Sequence, residues 1–297
     1  MPRKLETLAI VVVGAGWGSR LQEGIPVEKR KPKAYYPVAG EPMVSYILKE
    51  ALKIAPDAVF FVHPPGWGDK LEGFPEVRMV SGGNGPLGDP FTGIKAAEEF
   101  DQVIVVNGDA LLVTAEPLLE LQSALRPEVG FVLPAINPEV CFPDESVKYI
   151  PGSMNRRPNV FAVRPGALCW SEQLQKLLEM KNNGLSKLIG EARVLISILG
   201  GWRAVLGIRP LMPPELKFLL DLLAWHPTPF PKYTKGVIGR RYVGYHLPTY
   251  KLEKYMSAFL GCKVEIPLMS VAAFAFDIDY AVDVPVALAE LRKQGRL

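Results

Sequence analysis

Several short stretches of this 297-residue chain hold residues whose types and spacing could do phosphate and metal chemistry. The first is Gly14-Ala15-Gly16-Trp17-Gly18-Ser19-Arg20, directly behind an apolar run. Glycines in such a turn let backbone N–H groups approach phosphate oxygens, and a helix behind the turn would add its positive end. The plainer alternative is a tight structural turn. The second is Lys29-Arg30-Lys31-Pro32-Lys33. Cations behind a glycine loop can hold β- and γ-phosphates and neutralise a departing pyrophosphate, whereas a lone basic run is a solvated loop. The third is Asn107-Gly108-Asp109, which closes the apolar run Val103 to Val106. A carboxylate at the carboxyl end of a parallel strand stands in the crevice where such sheets bind ligands, and its hard oxygen suits Mg²⁺. A helix N-cap or turn aspartate is the other reading. The fourth is Phe276-Asp277-Ile278-Asp279-Tyr280-Ala281-Val282-Asp283-Val284-Pro285. If it continues as a strand, Asp277 and Asp279 are read as facing opposite sides, so that one of them meets a metal.

These residues need elements to position them. Leu8 to Val13, Ala58 to Val62 and Val103 to Val106 are short, continuous, β-branched runs, the pattern of strands covered on both faces. Met43 to Ile54 places Val44, Ile47, Leu48 and Leu52 on one helical face. Strand, helix, strand in that order argues for right-handed βαβ units and a mostly parallel sheet. A helix is expected at Pro117 to Leu125, a strand at Val129 to Leu133, an apolar segment at Val160 to Val163 and a terminal helix at Val284 to Lys293. Leu174 to Trp225 is mainly helical in pattern and is followed by the proline-rich stretch His226 to Pro231. The chain therefore reads as a single α/β domain over 1–297, Rossmann-like with helices flanking the sheet, carrying a helical insertion at 174–248.

Composition narrows the function. With 48% apolar and 22% charged residues the chain buries a full core. A net charge of +3, from 34 basic and 31 acidic residues, is too thin a surplus to mark a nucleic-acid binder. Cys141, Cys169 and Cys262 show no metal or disulfide spacing, which favours a reducing, cytoplasmic setting. The first apolar run is too short for a signal peptide, and charges and prolines break Val194 to Trp225 before it reaches the length of a membrane span. Leu and Trp residues in that segment leave a homodimer interface, a lid or a core as its uses. His63, His226 and His246 are scattered and receive no catalytic role.

Taken together, the first two stretches resemble the N-terminal signature of the MobA-like and sugar-phosphate nucleotidyltransferases. Its pattern is Ala-x-Gly-x-Gly-x-Arg, then Pro-Lys, then Gly-x-Pro seven residues after that lysine. Gly16, Gly18 and Arg20 fill the first part; Pro32, Lys33, Gly40 and Pro42 fill the second. The resemblance implies a nucleotide-diphospho-sugar transferase fold with a mixed, mostly parallel seven-stranded sheet. It implies that the loop Gly14, Ala15, Gly16, Gly18 and Ser19 wraps a triphosphate, and that Arg20 and Lys33 contact its charged oxygens. The segment between Arg20 and Lys33 is longer than in the family, which leaves Lys29 and Lys31 as further phosphate contacts. Ser81-Gly82-Gly83-Asn84-Gly85-Pro86-Leu87-Gly88-Asp89, ahead of a helix expected from Pro90 or Phe91, resembles the family's base-reading loop. Gly82 and Gly83, with Asn107, thereby join the nucleotide-binding set; an ordinary turn cluster is the alternative. Asn107-Gly108-Asp109 resembles the family's Gly-Asp motif, whose aspartate binds the catalytic metal. The segment around Asp279 resembles the ending of the MobA-like group, with Asp279 near the metal and Asp283 capping the last helix. Arg156, Arg157 and Asn159 fall where relatives bind the acceptor.

What this implies is an Mg²⁺-dependent nucleotidyltransferase that moves a nucleoside monophosphate from a triphosphate to a phosphorylated small molecule. An acceptor phosphate is already ionised near neutral pH, so no general base is required. A nucleotide-sugar glycosyltransferase of the same fold is the first alternative, although Asn107 stands where such enzymes carry the first acid of an Asp-x-Asp. A dinucleotide oxidoreductase lacks its third glycine and ribose acid here. A non-catalytic nucleotide sensor is the remaining reading.

Overall fold

A computed structural model describes residues 6–17, 21–83, 85–137, 140, 158–168 and 249–297. The segment 174–248, together with Gly18, Ser19, Arg20, Asn84, Arg156 and Arg157, lies outside the described residues.

The strands are β1 (Leu8–Val13), β2 (Pro37–Val38), β3 (Glu41–Pro42), β4 (Val59–His63), β5 (Arg78–Ser81), β6 (Gln102–Asn107), β7 (Phe131–Val132), β8 (Ala135–Ile136), β9 (Val160–Val163), β10 (Val264–Glu265) and β11 (Leu268–Met269). Seven of them form one sheet in the order β10-β7-β9-β6-β1-β4-β5. The pairs β1–β4, β1–β6, β4–β5 and β7–β10 are parallel, while β9 runs antiparallel to both β6 and β7. The sheet is thus mixed and mostly parallel. β1 is central because Leu-Ala-Ile-Val-Val-Val has no polar face to leave in water; Ala9 to Val12 are fully buried.

Five α-helices are described: α1 (Met43–Ile54), α2 (Gly85–Ala96), α3 (Ala115–Ala124), α4 (Thr249–Leu260) and α5 (Asp283–Lys293). Helix α1 buries the stripe Val44, Ile47, Leu48 and Ala51, packing on α3 and the sheet; α2 lies on β1, β4 and β6. Among the described residues no helix is long and apolar enough to cross a membrane.

Two apolar clusters result. The larger is the sheet with its helices. The smaller one joins distant segments: Leu21 after the glycine turn, Met43 and Tyr46 of α1, Leu111 and Leu112 behind Asp109, Phe276 and Ile278, and Ala287 and Leu291 of α5. This second cluster brings the C-terminal acids to the sheet, because its members alternate with or immediately follow the charged residues of the site.

Some expectations require correction. No α-helix follows the glycine turn among the described residues; short 3-10 turns at Val27–Lys29 and Lys33–Tyr35 stand there instead, and the first α-helix begins at Met43. The helix expected from Pro90 or Phe91 begins at Gly85, with Pro90 inside it. The strand expected at Val129 to Leu133 is reduced to Phe131–Val132. The apolar run Val271 to Ile278 makes a 3-10 turn at Ala272–Ala275 before extending.

Candidate active site

The carboxyl ends of β1 and β6 lie side by side, since Val13 pairs with Asn107. The Gly108 amide continues the ladder by donating to the Val13 carbonyl at 2.8 Å. The next residue on one strand is Gly14 and the next but one on the other is Asp109, so parallel pairing alone places the glycine turn beside the aspartate. At Gly14 only hydrogen fits: a Cβ would stand 2.5 Å from the Phe61 ring and 2.7 Å from Ala34 Cβ. Its amide donates to Val62 at 2.8 Å, so the residues from Ala15 onward are the ones whose amides can serve a ligand.

Lys33 joins the two halves. Its backbone amide donates to the Gly16 carbonyl at 2.8 Å, which ties the lysine to the glycine turn. Its ammonium donates to Asp109 Oδ2 at 2.5 Å and to Asp279 Oδ1 at 2.6 Å, and stands 3.7 Å from Asp277 Oδ2. The ammonium is enclosed, the Lys33 side chain being 11% exposed. Burial by itself pushes the lysine pKa down. The charges of Asp109, Asp277 and Asp279 and the Asp109 hydrogen bond more than offset this and hold the group above its ordinary range.

Asp277 and Asp279 both face Lys33, which overturns the expectation that they point to opposite sides. Residues two apart on an extended chain share a face. Phe276 and Ile278 take the other face and are buried in the smaller cluster. Asp283 also departs from its expected role. Its Oδ2 accepts from the Asp279 and Tyr280 amides at 2.9 and 2.8 Å, and no capping bond to the helix itself is formed. It is buried, at the first position of α5, and it fixes the turn that carries Asp279.

Asp109, Asp277 and Asp279 each offer an oxygen within 4.8 Å of the others. Asp109 Oδ1 is buried without a hydrogen-bond partner. Three carboxylates, one with an unsatisfied buried oxygen, form a hard-oxygen donor set that fits Mg²⁺.

The second glycine loop adjoins the first. A Cβ added to Gly82 would lie 3.1 Å from Ala15 Cβ and 2.9 Å from Asp89 Oδ1. The Gly82 amide donates to the His63 carbonyl and the Gly83 amide to Asp89 Oδ1, both at 2.8 Å. These amides are taken up inside the protein and the Gly82 Cα packs against Ala15, Val62 and Asp89, so the loop's carbonyls and the exposed Gly83 are what it can present. Asn107 donates from Nδ2 to Asn159 Oδ1 at 3.1 Å, and its amide donates to the Asn159 carbonyl at 2.9 Å, which links the β6 end to β9. Lys29 and Lys31 are exposed and contribute no ion pair to this cluster. Sequence reasoning missed Asp277 as a partner of Lys33 and Asp283 as the residue that positions Asp279. The alternation of Phe276 and Ile278 with the two acids was the signal for the first.

Comparison with known proteins places this geometry. The model of the MobA-like NTP transferase domain matches residues 10–194, more than half of the chain. The bifunctional protein GlmU of Alkalilimnicola ehrlichii is 30% identical over 151 residues, covering 47% of this chain and 28% of that protein. GlmU of Paramagnetospirillum magneticum is 33% identical over 124 residues, covering 40% and 26%. The chain thus spans less than a third of the length of these relatives. Among solved structures, a hypothetical transferase from Thermus thermophilus superimposes with a TM-score of 0.55 at 16% identity, over 93% of this chain and 99% of that one. The 4-diphosphocytidyl-2C-methyl-D-erythritol synthase of Anaerococcus prevotii gives 0.51 at 15% identity, over 97% and 99%. These two share the fold.

Proposed function

Because the chain belongs to the MobA-like NTP transferase family, we propose that it transfers a nucleoside monophosphate from a nucleoside triphosphate to a phosphorylated small molecule. The acceptor class is a sugar phosphate, a polyol phosphate or a cofactor precursor, and pyrophosphate is released. The observation that carries this reading is Lys33, whose backbone is fixed to the Gly16 turn while its ammonium lies among Asp109, Asp277 and Asp279. A site built for phosphate and a site built for a cation share one residue.

In the reaction an oxygen of the acceptor phosphate forms a bond to the α-phosphorus and the bond from that phosphorus to the β-bridging oxygen breaks. The bond electrons leave with pyrophosphate. No proton has to be removed from the nucleophile, which accords with a site made of acids and a lysine. Mg²⁺, held by Asp109 and Asp279 with Asp277 beside them, would supply positive charge to the phosphate oxygens. Ala15, Gly16 and the following turn residues, including Gly18 and Ser19, orient the triphosphate through their amides. Arg20 and Lys33 balance the charge that grows on the leaving pyrophosphate. Gly82 and Gly83 present a surface without side chains to the flat face of the base, and Asn107 holds the β6 end against Asn159.

Pyrophosphate release tests this directly. The protein with Mg²⁺, each of the four triphosphates and a panel of phosphorylated acceptors should give pyrophosphate for one pairing and an equal amount of nucleotidylated product. Silence for every pairing, with the folded protein still retaining a triphosphate, would favour a nucleotide sensor.

A further inference from the structure

The ammonium of Lys33 occupies the position where the three carboxylates converge. Magnesium binds carboxylate oxygens at about 2.0–2.1 Å. A nitrogen 2.5 Å from Asp109 Oδ2 and 2.6 Å from Asp279 Oδ1 stands where a cation shared by those two oxygens would stand, while Asp109 Oδ1 keeps no partner. Lysine and a metal bridging Asp109 Oδ2 and Asp279 Oδ1 are therefore alternative occupants of one seat.

The lysine is constrained in how it can leave. Its backbone is held by the Gly16 carbonyl and by the 3-10 turn Lys33–Tyr35, which follows Pro32 and has Ala34 and Tyr35 buried. Only the side chain can swing, and it would leave three carboxylates. An ammonium withdrawn from buried carboxylates is costly unless another anion receives it. The glycine turn, to whose Gly16 carbonyl the lysine amide donates, is the place the proposed function gives such an anion. An anion there offers the ammonium a second partner without moving the chain.

From this we infer that Lys33 is an internal gate on the metal site: it excludes a divalent cation from Asp109, Asp277 and Asp279 until a triphosphate on the Gly14–Trp17 turn draws the ammonium away. This inference rests on the proposed function for the identity of the anion. It makes triphosphate and metal bind with positive coupling beyond their chelation in solution, and by linkage each ligand raises the affinity for the other equally. The charge count accords with this. Three carboxylates and one ammonium leave a formal charge of −2, whereas removal of the ammonium exposes −3 to an incoming cation.

The test is Mn²⁺ binding without nucleotide, read from the electron paramagnetic resonance signal of free Mn²⁺, for the native protein, Lys33→Met and Lys33→Gln. Lys33→Gln keeps the length of much of the stem and hydrogen-bonding capacity, which guards against failure of the methionine variant to fold; circular dichroism establishes the fold of each. Both variants are expected to bind one Mn²⁺ at least about tenfold more tightly than the native protein, within the usual range of coupling between sites. Added Mn²⁺ should also raise the melting temperature of the variants more than that of the native protein. Equal Mn²⁺ affinity in all three proteins would overturn the inference. Retention of a triphosphate by the native protein, measured separately by calorimetry, tests the proposed function, whereas the Mn²⁺ comparison without nucleotide tests exclusion of the cation by Lys33, so the two failures are distinguishable.

Discussion

Asp109 and the pair Asp277 and Asp279 reach the same ammonium by two different constructions. Asp109 follows a regular parallel strand whose register is fixed by the β1–β6 ladder and extended by the Gly108 amide on Val13. Asp277 and Asp279 come from an extended segment outside the main sheet. That segment is held by burial of Phe276 and Ile278 on one face and by the carboxylate of Asp283 behind Asp279. The first position is set by backbone pairing in the core. The second depends on a few side chains, and so should be easier to displace without loss of the fold.

Removing Asp109 should give the largest effect on chemistry. Asp109→Ala is expected to lower turnover by about 10²–10³-fold or more, the scale of losing a main electrostatic contact, with the circular dichroism spectrum retained. Turnover near the native rate would break the comparison at its stronger end. Asp279→Asn should follow closely, and Asp277→Asn should cost less, in keeping with their distances of 2.6 and 3.7 Å from the ammonium. Steady-state kinetics at several Mg²⁺ concentrations would reverse that order if Asp277 held the principal position.

Asp283→Ala probes the weaker construction. Two partly buried amide hydrogen bonds are lost, which should lower stability by about 1–3 kcal/mol. Activity or metal affinity should drop by about 10–100-fold through displacement of Asp279. Asp283→Asn retains an acceptor oxygen and should recover much of both, while equal losses in the two variants would show that the charge, not the hydrogen bonds, is what matters. On the strand side, Gly108→Ala puts a Cβ 3.3 Å from Gly14 Cα and the Val13 carbonyl. Backbone atoms cannot yield there as a side chain would, so a cost of about 1–3 kcal/mol in thermal or chemical unfolding is expected.

The smallest effect concerns the support of the glycine turn. Tyr35 donates its hydroxyl to the Trp67 carbonyl at 2.6 Å, and its ring packs 5.0 Å from that of Trp67, which in turn meets Trp17 edge-on at 6.2 Å. Burial pushes the Tyr35 hydroxyl up to about 12. A folded-state value raised above the ordinary 10 means that the neutral phenol is favoured by folding, so this contribution is complete below pH 10 and is lost as pH rises toward 12. Tyr35→Phe should cost about 1 kcal/mol at neutral pH and should flatten the decline between pH 10 and 12, as followed by denaturant unfolding.

The same contrast explains what could be read from the sequence. β1, α1 and β9 carry continuous apolar runs or a clean helical stripe, and their observed bounds equal the expected ones. Lys33 is legible through the motif spacing of the family resemblance and Asp109 through its place at the end of a buried strand, and the structure brings them together. The pairing of Asp277 with Asp279 was misread because the two acids were assigned to opposite faces, although the flanking Phe276 and Ile278 share the buried one. Asp283, a helix cap by the family resemblance, instead turns its carboxylate back to the preceding loop. Among the described residues behind the glycine turn, Pro26, Pro32 and Pro37 favour short turns over a continuous helix.

A crystal structure of the native protein with a non-hydrolysable nucleoside triphosphate and Mn²⁺ would test the central claim most directly. The account predicts an anomalous manganese peak between Asp109 and Asp279, phosphate oxygens on the Gly14–Trp17 turn, and the Lys33 ammonium moved from the carboxylates to a phosphate. A triphosphate bound elsewhere, with Lys33 still seated among the three aspartates, would contradict it.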